Sequence, residues 1–442
     1  MECERRCFVE TGVTVFIMKP YAIVFTLFLF CATFCFAQKE TALKHIAILS
    51  SPQMYGRGYV QNGVGLAANY IDSCFSSYKL HTFKELQGYR QSVSFDVNTF
   101  PGIVKLSIND TIDLTPGGDF VIASNSPAAK HTSNNIVRTT KLRIANGKLI
   151  DVPLRNKVLL LDERSYTSTD ERIDQVTKGL KSMSFQKNEF KAIVEISNKK
   201  LTWDVSSREG TFPYFYVNSP RVPSHILSVS YQIEQSFVPK FKTYNLYGYI
   251  PGTLYPDSLI VLTAHYDHLG MMGMQTMFPG ANDNASGVAM LLTLAEYFTH
   301  NPPQKTIVFV ALTGEEIGLA GAFFCVENSP FLLKNVNFLI NIDLAGTGDD
   351  GIQIVNSTVF KQKAALLDSI NTTHTYMPTI KKRGESCNSD HCPFYMKGVP
   401  SFFIYTLGGI QAYHDVYDKP ETLPLTRFNE YSALLKEFIS ML

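Results

Sequence analysis

Beyond Tyr244 the chain alternates apolar runs with amphipathic stretches, and the apolar runs end in acidic or imidazole side chains. That alternation is the pattern of an α/β sheet covered by helices on both faces. The spacing predicts strands over residues 259–264, 306–312, 338–343 and 401–405. A helix is expected after Asn284, where Val288, Leu291, Leu292, Ala295 and Phe298 form one apolar stripe until Pro302 and Pro303 stop it. Ligands of such sheets gather just beyond the carboxyl ends of strands. Here the first strand runs into His265 and Asp267, the second into Glu315 and Glu316, and the third into Asp343, while Asp283 and His414 fall in loops.

Ahead of Tyr244 the character differs. Residues 45–83 read as a helix entered through a glycine-containing loop, Tyr55-Gly56-Arg57-Gly58, with Val64, Ala67, Ala68, Ile71 and Cys74 at helical spacing. Between about Gln87 and Tyr244 the chain reads as short alternating strands broken by Gly, Pro, Asn and Asp, including 157–161 and 190–196, and looks like an inserted β-rich module. The expected division is a leader over 1–37, an α/β unit over 38–86 and 245–442, and an insert over 87–244.

The leader rests on Lys19 followed by a non-ionic run from Pro20 to Phe36 that ends at Ala37. The run is short for a membrane span and has the order of a signal peptide starting at Met18 and cut after Ala37. An uncleaved anchor is the alternative, and a lipoprotein fits less well because bulky Phe30 and Phe34 directly precede Cys31 and Cys35. Cleavage would export the protein to a periplasm or the exterior, with no stable membrane association. It would leave only Cys74, Cys325, Cys387 and Cys392, which is no disulfide scaffold. Cys387 and Cys392 are free to pair in an oxidising compartment or to stay as thiols. Forty basic against thirty-nine acidic side chains create no broad field for nucleic acid or an acidic membrane, so function belongs to local sites.

Each candidate residue has a bland reading when taken alone. His265-Tyr266-Asp267 is a common surface or core combination, although residues i and i+2 of an extended segment face the same way, which would let Asp267 accept the free N–H of His265. Asp283 would serve as a helix N-cap. Glu315-Glu316 would be a solvated acidic turn, yet two carboxylates after an apolar run repel each other unless cations are close. One of that pair can bind metal while its neighbour acts as general base on the attacking water and passes the proton to the leaving amine. Asp343 closes an apolar stretch and demands a cation or several donors. Three carboxylates, Asp283, Glu316 and Asp343, suit two divalent ions. A bridging Asp283 would then place His265 with Asp343 on one ion and His414 with Glu316 on the other, with an open position left for water and substrate. Imidazole mixed with carboxylate and no thiolate suits zinc, with cobalt or manganese as possible substitutes.

The segments LTAHYDHLG, PGANDNASGVAMLL, LTGEEIGLAGA, NIDLAGTG and SDHCPF followed by YHDVYDKPETL resemble the M28 family of zinc aminopeptidases. The resemblance implies a three-layer αβα fold with a mixed, mostly parallel central sheet, and hydrolysis of peptides at their amino end. It implies His265, Asp283, Glu316, Asp343 and His414 as ligands of two zinc ions, Glu315 as general base and Asp267 as partner of His265. His268 and His391 match no ligand and are expected to hydrogen-bond near the site. Tyr405 and Tyr413 are candidates to steady an oxyanion, with neither position assigned. In outline the insert, especially 156–218, is similar to the protease-associated module of related peptidases. Two rivals share this fold: glutaminyl cyclisation at one zinc, and a non-catalytic binding protein, which would be expected to have lost ligands.

Overall fold

Eight strands pair into one mixed sheet: β1 (Arg90–Thr99), β2 (Ser236–Ile250), β3 (Tyr255–His265), β4 (Lys305–Leu312), β5 (Val336–Ile342), β6 (Gly351–Val355), β7 (Ile380–Lys382) and β8 (Ser401–Leu407). Their spatial order is β1-β2-β4-β3-β5-β8-β6-β7. The pairs β4/β3, β3/β5, β5/β8 and β6/β7 are parallel, and β1/β2, β2/β4 and β8/β6 are antiparallel. The computed structural model describes residues 38–147, 155–165, 171–185 and 191–442, so the leader expected over 1–37 lies outside it. Among the described residues no helix is long and apolar enough to cross a membrane.

The central strands are apolar throughout because both their faces are covered. Ile260, Leu262 and Ala264 of β3 face one core, together with Ile307, Phe309 and Ala311 of β4. Val261, Val308 and Val310 face a second core on the opposite side. The strand period of two thus divides one sequence between two layers. The first layer holds the helices Gly63–Ser77, Gly287–His300 and Phe428–Met441, and the second holds Ala320–Glu327 and His391–Met396. Helix Gly287–His300 differs from its single expected stripe, since every residue from Gly287 to Ala295 is buried. It is wedged between the sheet and the helices Gly63–Ser77 and Phe428–Met441, so its outer face meets protein rather than water.

The main sheet reaches into the segment 87–244 that the sequence assigns to an insert: β1 and β2 are antiparallel neighbours from Arg90↔Leu246 to Thr99↔Ser236. Between them lie a four-stranded antiparallel sheet and a five-stranded sheet ordered Phe120–Ile122, Tyr214–Val217, Ala192–Ile196, Val158–Asp162, Ile136–Thr139. All neighbours of the latter are parallel except the first pair. A helix, Glu171–Met183, covers it, although the sequence reads here as strands alone. Val176, Leu180 and Met183 supply its apolar contacts, and the charged residues between them dilute the signal. Leu269, Met272 and Phe278, from a hairpin that follows β3, fill the same core as Phe100, Phe120, Trp203 and Phe215. Cys387 and Cys392 are joined in a disulfide, Cys325 is buried and Cys74 half-buried.

Candidate metal centre

β3 ends at His265, β5 ends one residue before Asp343, and β4 runs into the turn that carries Glu315 and Glu316. Both β4 and β5 lie parallel to β3, so these ends open on one rim. There His265 Nε2 lies 3.4 Å from Asp283 Oδ1 and 3.5 Å from Asp343 Oδ1. His414 Nε2 lies 3.0 Å from Asp283 Oδ2 and 3.3 Å from Glu316 Oε2. The five residues expected as ligands therefore meet, with Asp283 turning one oxygen to each imidazole. Glu315 has a carboxylate oxygen within 4.8 Å of donor atoms of His265 and Glu316.

Neighbouring groups aim these side chains. Thr263 donates to Asn341 Oδ1 (2.7 Å), Asn341 Nδ2 to Ser389 Oγ (2.8 Å), and Ser389 Oγ to Asp343 Oδ2 (3.2 Å). The relay occupies Oδ2 and leaves Asp343 Oδ1 toward His265. His268 Nδ1 lies 2.7 Å from Glu316 Oε1, in keeping with the hydrogen-bonding place expected for it. His391 Nε2 turns to the Ser386 carbonyl at 2.9 Å. His265 Nδ1 is 3.2 Å from the Asp267 carbonyl oxygen and 3.8 Å from its carboxylate, so the backbone is the nearer partner. The carboxylate of Asp267 instead accepts the amides of Glu315 (3.2 Å) and Glu316 (3.3 Å) and the Tyr59 hydroxyl (2.7 Å). The sheet ladder stops at His265, and beyond it the two-residue alternation no longer holds. Asp283 is not a helix cap: Asn284 Oδ1 accepts the Gly287 amide at 2.9 Å.

Too much negative charge is buried here for the cations the chain supplies. Burial opposes protonation of His265, but Asp343, Glu315 and Asp283 outweigh it and raise its pKa. Burial likewise opposes protonation of His414, and Glu316 and Asp283 raise its pKa to about 9. Asp343 Oδ1 and His268 Nε2 are buried without a hydrogen-bond partner. Protons on the imidazoles answer a demand that a divalent cation would meet better.

Residues 245–439 match the family model described as peptidase family M28. They form an M28 peptidase domain. A probable zinc metalloprotease of Pyricularia oryzae is 37% identical over 134 residues, 29% of this chain and 26% of its own length. Aminopeptidase YwaD of Bacillus subtilis is 31% identical over 153 residues, 33% of this chain and 31% of its own. The chain thus spans about a quarter to a third of these relatives. The solved structure of a peptidase M28 precursor from Shewanella amazonensis shares the fold, with a TM-score of 0.67 at 16% identity over 92% of this chain and 96% of that one.

The M28 domain's residues fit a zinc ion by their spacing. Two ligands about 2.0 Å from one tetrahedral ion stand about 3.3 Å apart, and the four imidazole-to-carboxylate distances are 3.4, 3.5, 3.0 and 3.3 Å. His265, Asp283 and Asp343 make one such set, and Glu316 joins Asp283 in another with His268 near it.

Several contributors to the M28 site carry no sequence signal of their own. Arg57 is fully buried and donates to the carbonyls of Tyr266, Pro279, Gly280 and Asp283, which shapes the loop that bears Asp283. Gly58 lets this segment pass close to the backbone beyond β3: a Cβ there would lie 2.3 Å from Gly270 Cα. Asp418 accepts the amides of Asn282 (2.8 Å) and Asp283 (3.0 Å). The glycines flanking Arg57 were visible in sequence as a loop and the YDKP run as part of a family motif, but neither marked Arg57 or Asp418 as a contributor to the site. His414 also borders a cleft of about 570 Å³ whose other walls, Lys141, Glu195, Trp203 and Tyr216 among them, come from the segment between β1 and β2.

Proposed function

We propose that the chain is an exported zinc metallopeptidase that removes residues from the amino end of peptides. What carries this reading is Asp283 standing between His265 and His414 with Asp343, Glu316 and Glu315 around them. In the proposed assignment His265 and Asp343 would hold one zinc ion, His414 and Glu316 would hold a second, and Asp283 would contribute to both. Zinc, when bound, supplies Lewis acidity toward a peptide carbonyl and lowers the pKa of water. Glu315 takes a proton from the attacking water and delivers it to the leaving amine. Asp267 holds the Glu315-Glu316 turn through both backbone amides, which sets where those two carboxylates stand. The cleft bordered by His414 gives room for the peptide beyond the scissile bond. The names of the relatives, a probable zinc metalloprotease and an aminopeptidase, support the class of reaction.

Export is supported by the leader-like run before Gln38 and by the Cys387–Cys392 disulfide, which suits an oxidising compartment. The segment between β1 and β2 is read as an inserted module, with those two strands as its stalks in the main sheet.

Mass spectrometry of the products from a peptide mixture tests the reading. Stepwise loss from the amino end is expected; internal or carboxy-terminal cuts would overturn the aminopeptidase assignment. Pyroglutamate formed at one zinc per chain would replace it with cyclisation, and purified protein that binds no divalent metal would end the metalloenzyme reading.

A further inference from the structure

The loop that delivers His414 is held from outside the M28 domain. His414 has φ of 51°, a backbone conformation that a side chain other than glycine keeps only when its surroundings over-determine it. The Trp203 amide donates to the His414 carbonyl at 2.8 Å, and His414 Nδ1 stands 3.1 Å from the Trp203 carbonyl. A proton on Nδ1 shared with that carbonyl leaves Nε2 facing Asp283 and Glu316 with its lone pair free. Trp203 is itself fixed: its indole N–H donates to the Ile122 carbonyl at 2.8 Å, and its ring stacks on Phe278 at 4.8 Å. Three residues earlier, Lys200 Nζ reaches the Asp415 carboxylate at 2.7 Å and the carbonyls of Gln411 (2.5 Å) and Tyr413 (3.3 Å). An ammonium has three protons, and all three go to the loop around His414.

We propose that Lys200 and Trp203 of the inserted segment form a latch on the 411–415 loop, and that Lys200 is a positioning residue for the metal ion held by His414. The proposal rests on the two-zinc reading above. The Lys200 side chain is 46% exposed, so its ion pair adds little to global stability. Its effect is local, on the geometry of one ligand. The other ion's ligands, His265 and Asp343, sit at strand ends in the main sheet and do not depend on the latch.

The test uses zinc titration of the metal-free full chain, counting bound ions and following the emission of Trp203, the chain's one tryptophan. The wild type is expected to bind two ions, with a Trp203 emission change that accompanies the ion at His414. Lys200→Ala should keep one affinity and lose about 10- to 100-fold in the other, as expected on removing the support of a ligating histidine. Its metal-free melting temperature should stay within about 2 °C of wild type. Lys200→Arg, whose guanidinium offers donors to the same carboxylate and carbonyls, should restore most of the lost affinity. Unchanged binding of both ions by Lys200→Ala would overturn the latch alone. Equal weakening of both ions with a lower metal-free melting temperature would overturn it as well, by showing a general structural effect. A wild type that binds a single ion would remove the two-zinc reading beneath it.

Discussion

Asp283 and Glu315 both stand near His265, yet their surroundings treat them in opposite ways. Burial alone would raise Asp283, but its bonds with His265 and His414 outweigh that and hold its carboxyl well below the usual carboxylate range. Burial raises Glu315; Glu316, Asp390 and Asp343 add to the shift, and His265 only partly opposes it. Carboxyls driven apart in this manner divide the work, one staying charged and the other free to exchange a proton. Glu315→Gln should therefore keep its bound metal by elemental analysis while hydrolysis falls by at least about 10²-fold. Activity unchanged in that variant would remove Glu315 from its role. Local pattern marked single residues only where a strand led into them, and Asp283 and His414, in loops, were legible through the family motifs that contain them. His265, Glu315, Glu316 and Asp343 follow apolar runs, whereas Arg57 and Asp418 act on backbone groups and Tyr59 on the Asp267 carboxylate, partners brought near by folding, which leaves no local pattern to read.

Helix Gly287–His300 shows what an element contributes to this site. Its first turn abuts the end of β5: a Cβ on Gly287 would lie 2.1 Å from Asn284 Oδ1 and 2.6 Å from the Ile342 carbonyl. Asn284 Oδ1 joins the two elements by accepting the amides of Gly287 (2.9 Å) and Leu344 (3.2 Å). Gly287→Ala must push the helix from the strand end, and should cost about 1–3 kcal/mol in chemical denaturation. Zinc affinity should fall with it, because Asp283 and Asp343 flank the joint; wild-type values for both would show that the joint is slack. The strands and this helix were readable because period and length agree with burial, and the five-stranded sheet of the insert was partly readable for the same reason. Helix Glu171–Met183 was not, since an exposed charged face masks three apolar contacts.

For the molecule as a whole, acid is expected to weaken the fold through a histidine that is not among the proposed metal ligands. His45 is 6% exposed, bonded through Nδ1 to the Tyr70 hydroxyl at 2.7 Å, and burial lowers its pKa from 6.5 to about 4. The unfolded chain takes up a proton as pH falls below 6.5 while the folded chain stays neutral down to about 4, so stability is lost across that window. Between pH 7.5 and 5 the loss should be about 2 kcal/mol. His45→Gln should show a shallower decline in denaturant unfolding over the same range, and identical slopes would rule His45 out as the cause. Such couplings were hidden in the sequence, where His45 is one of ten histidines with nothing to mark it.

The guanidinium of Arg57 reaches across more than two hundred positions to fasten the carbonyls of Pro279, Gly280 and Asp283. A fragment trimmed to the stretch that matches the family would keep every proposed zinc ligand and the general base, yet lack this clasp. With the Asp283 loop unfastened, the trimmed piece would hold the full set of chemical parts and no fixed frame to align them.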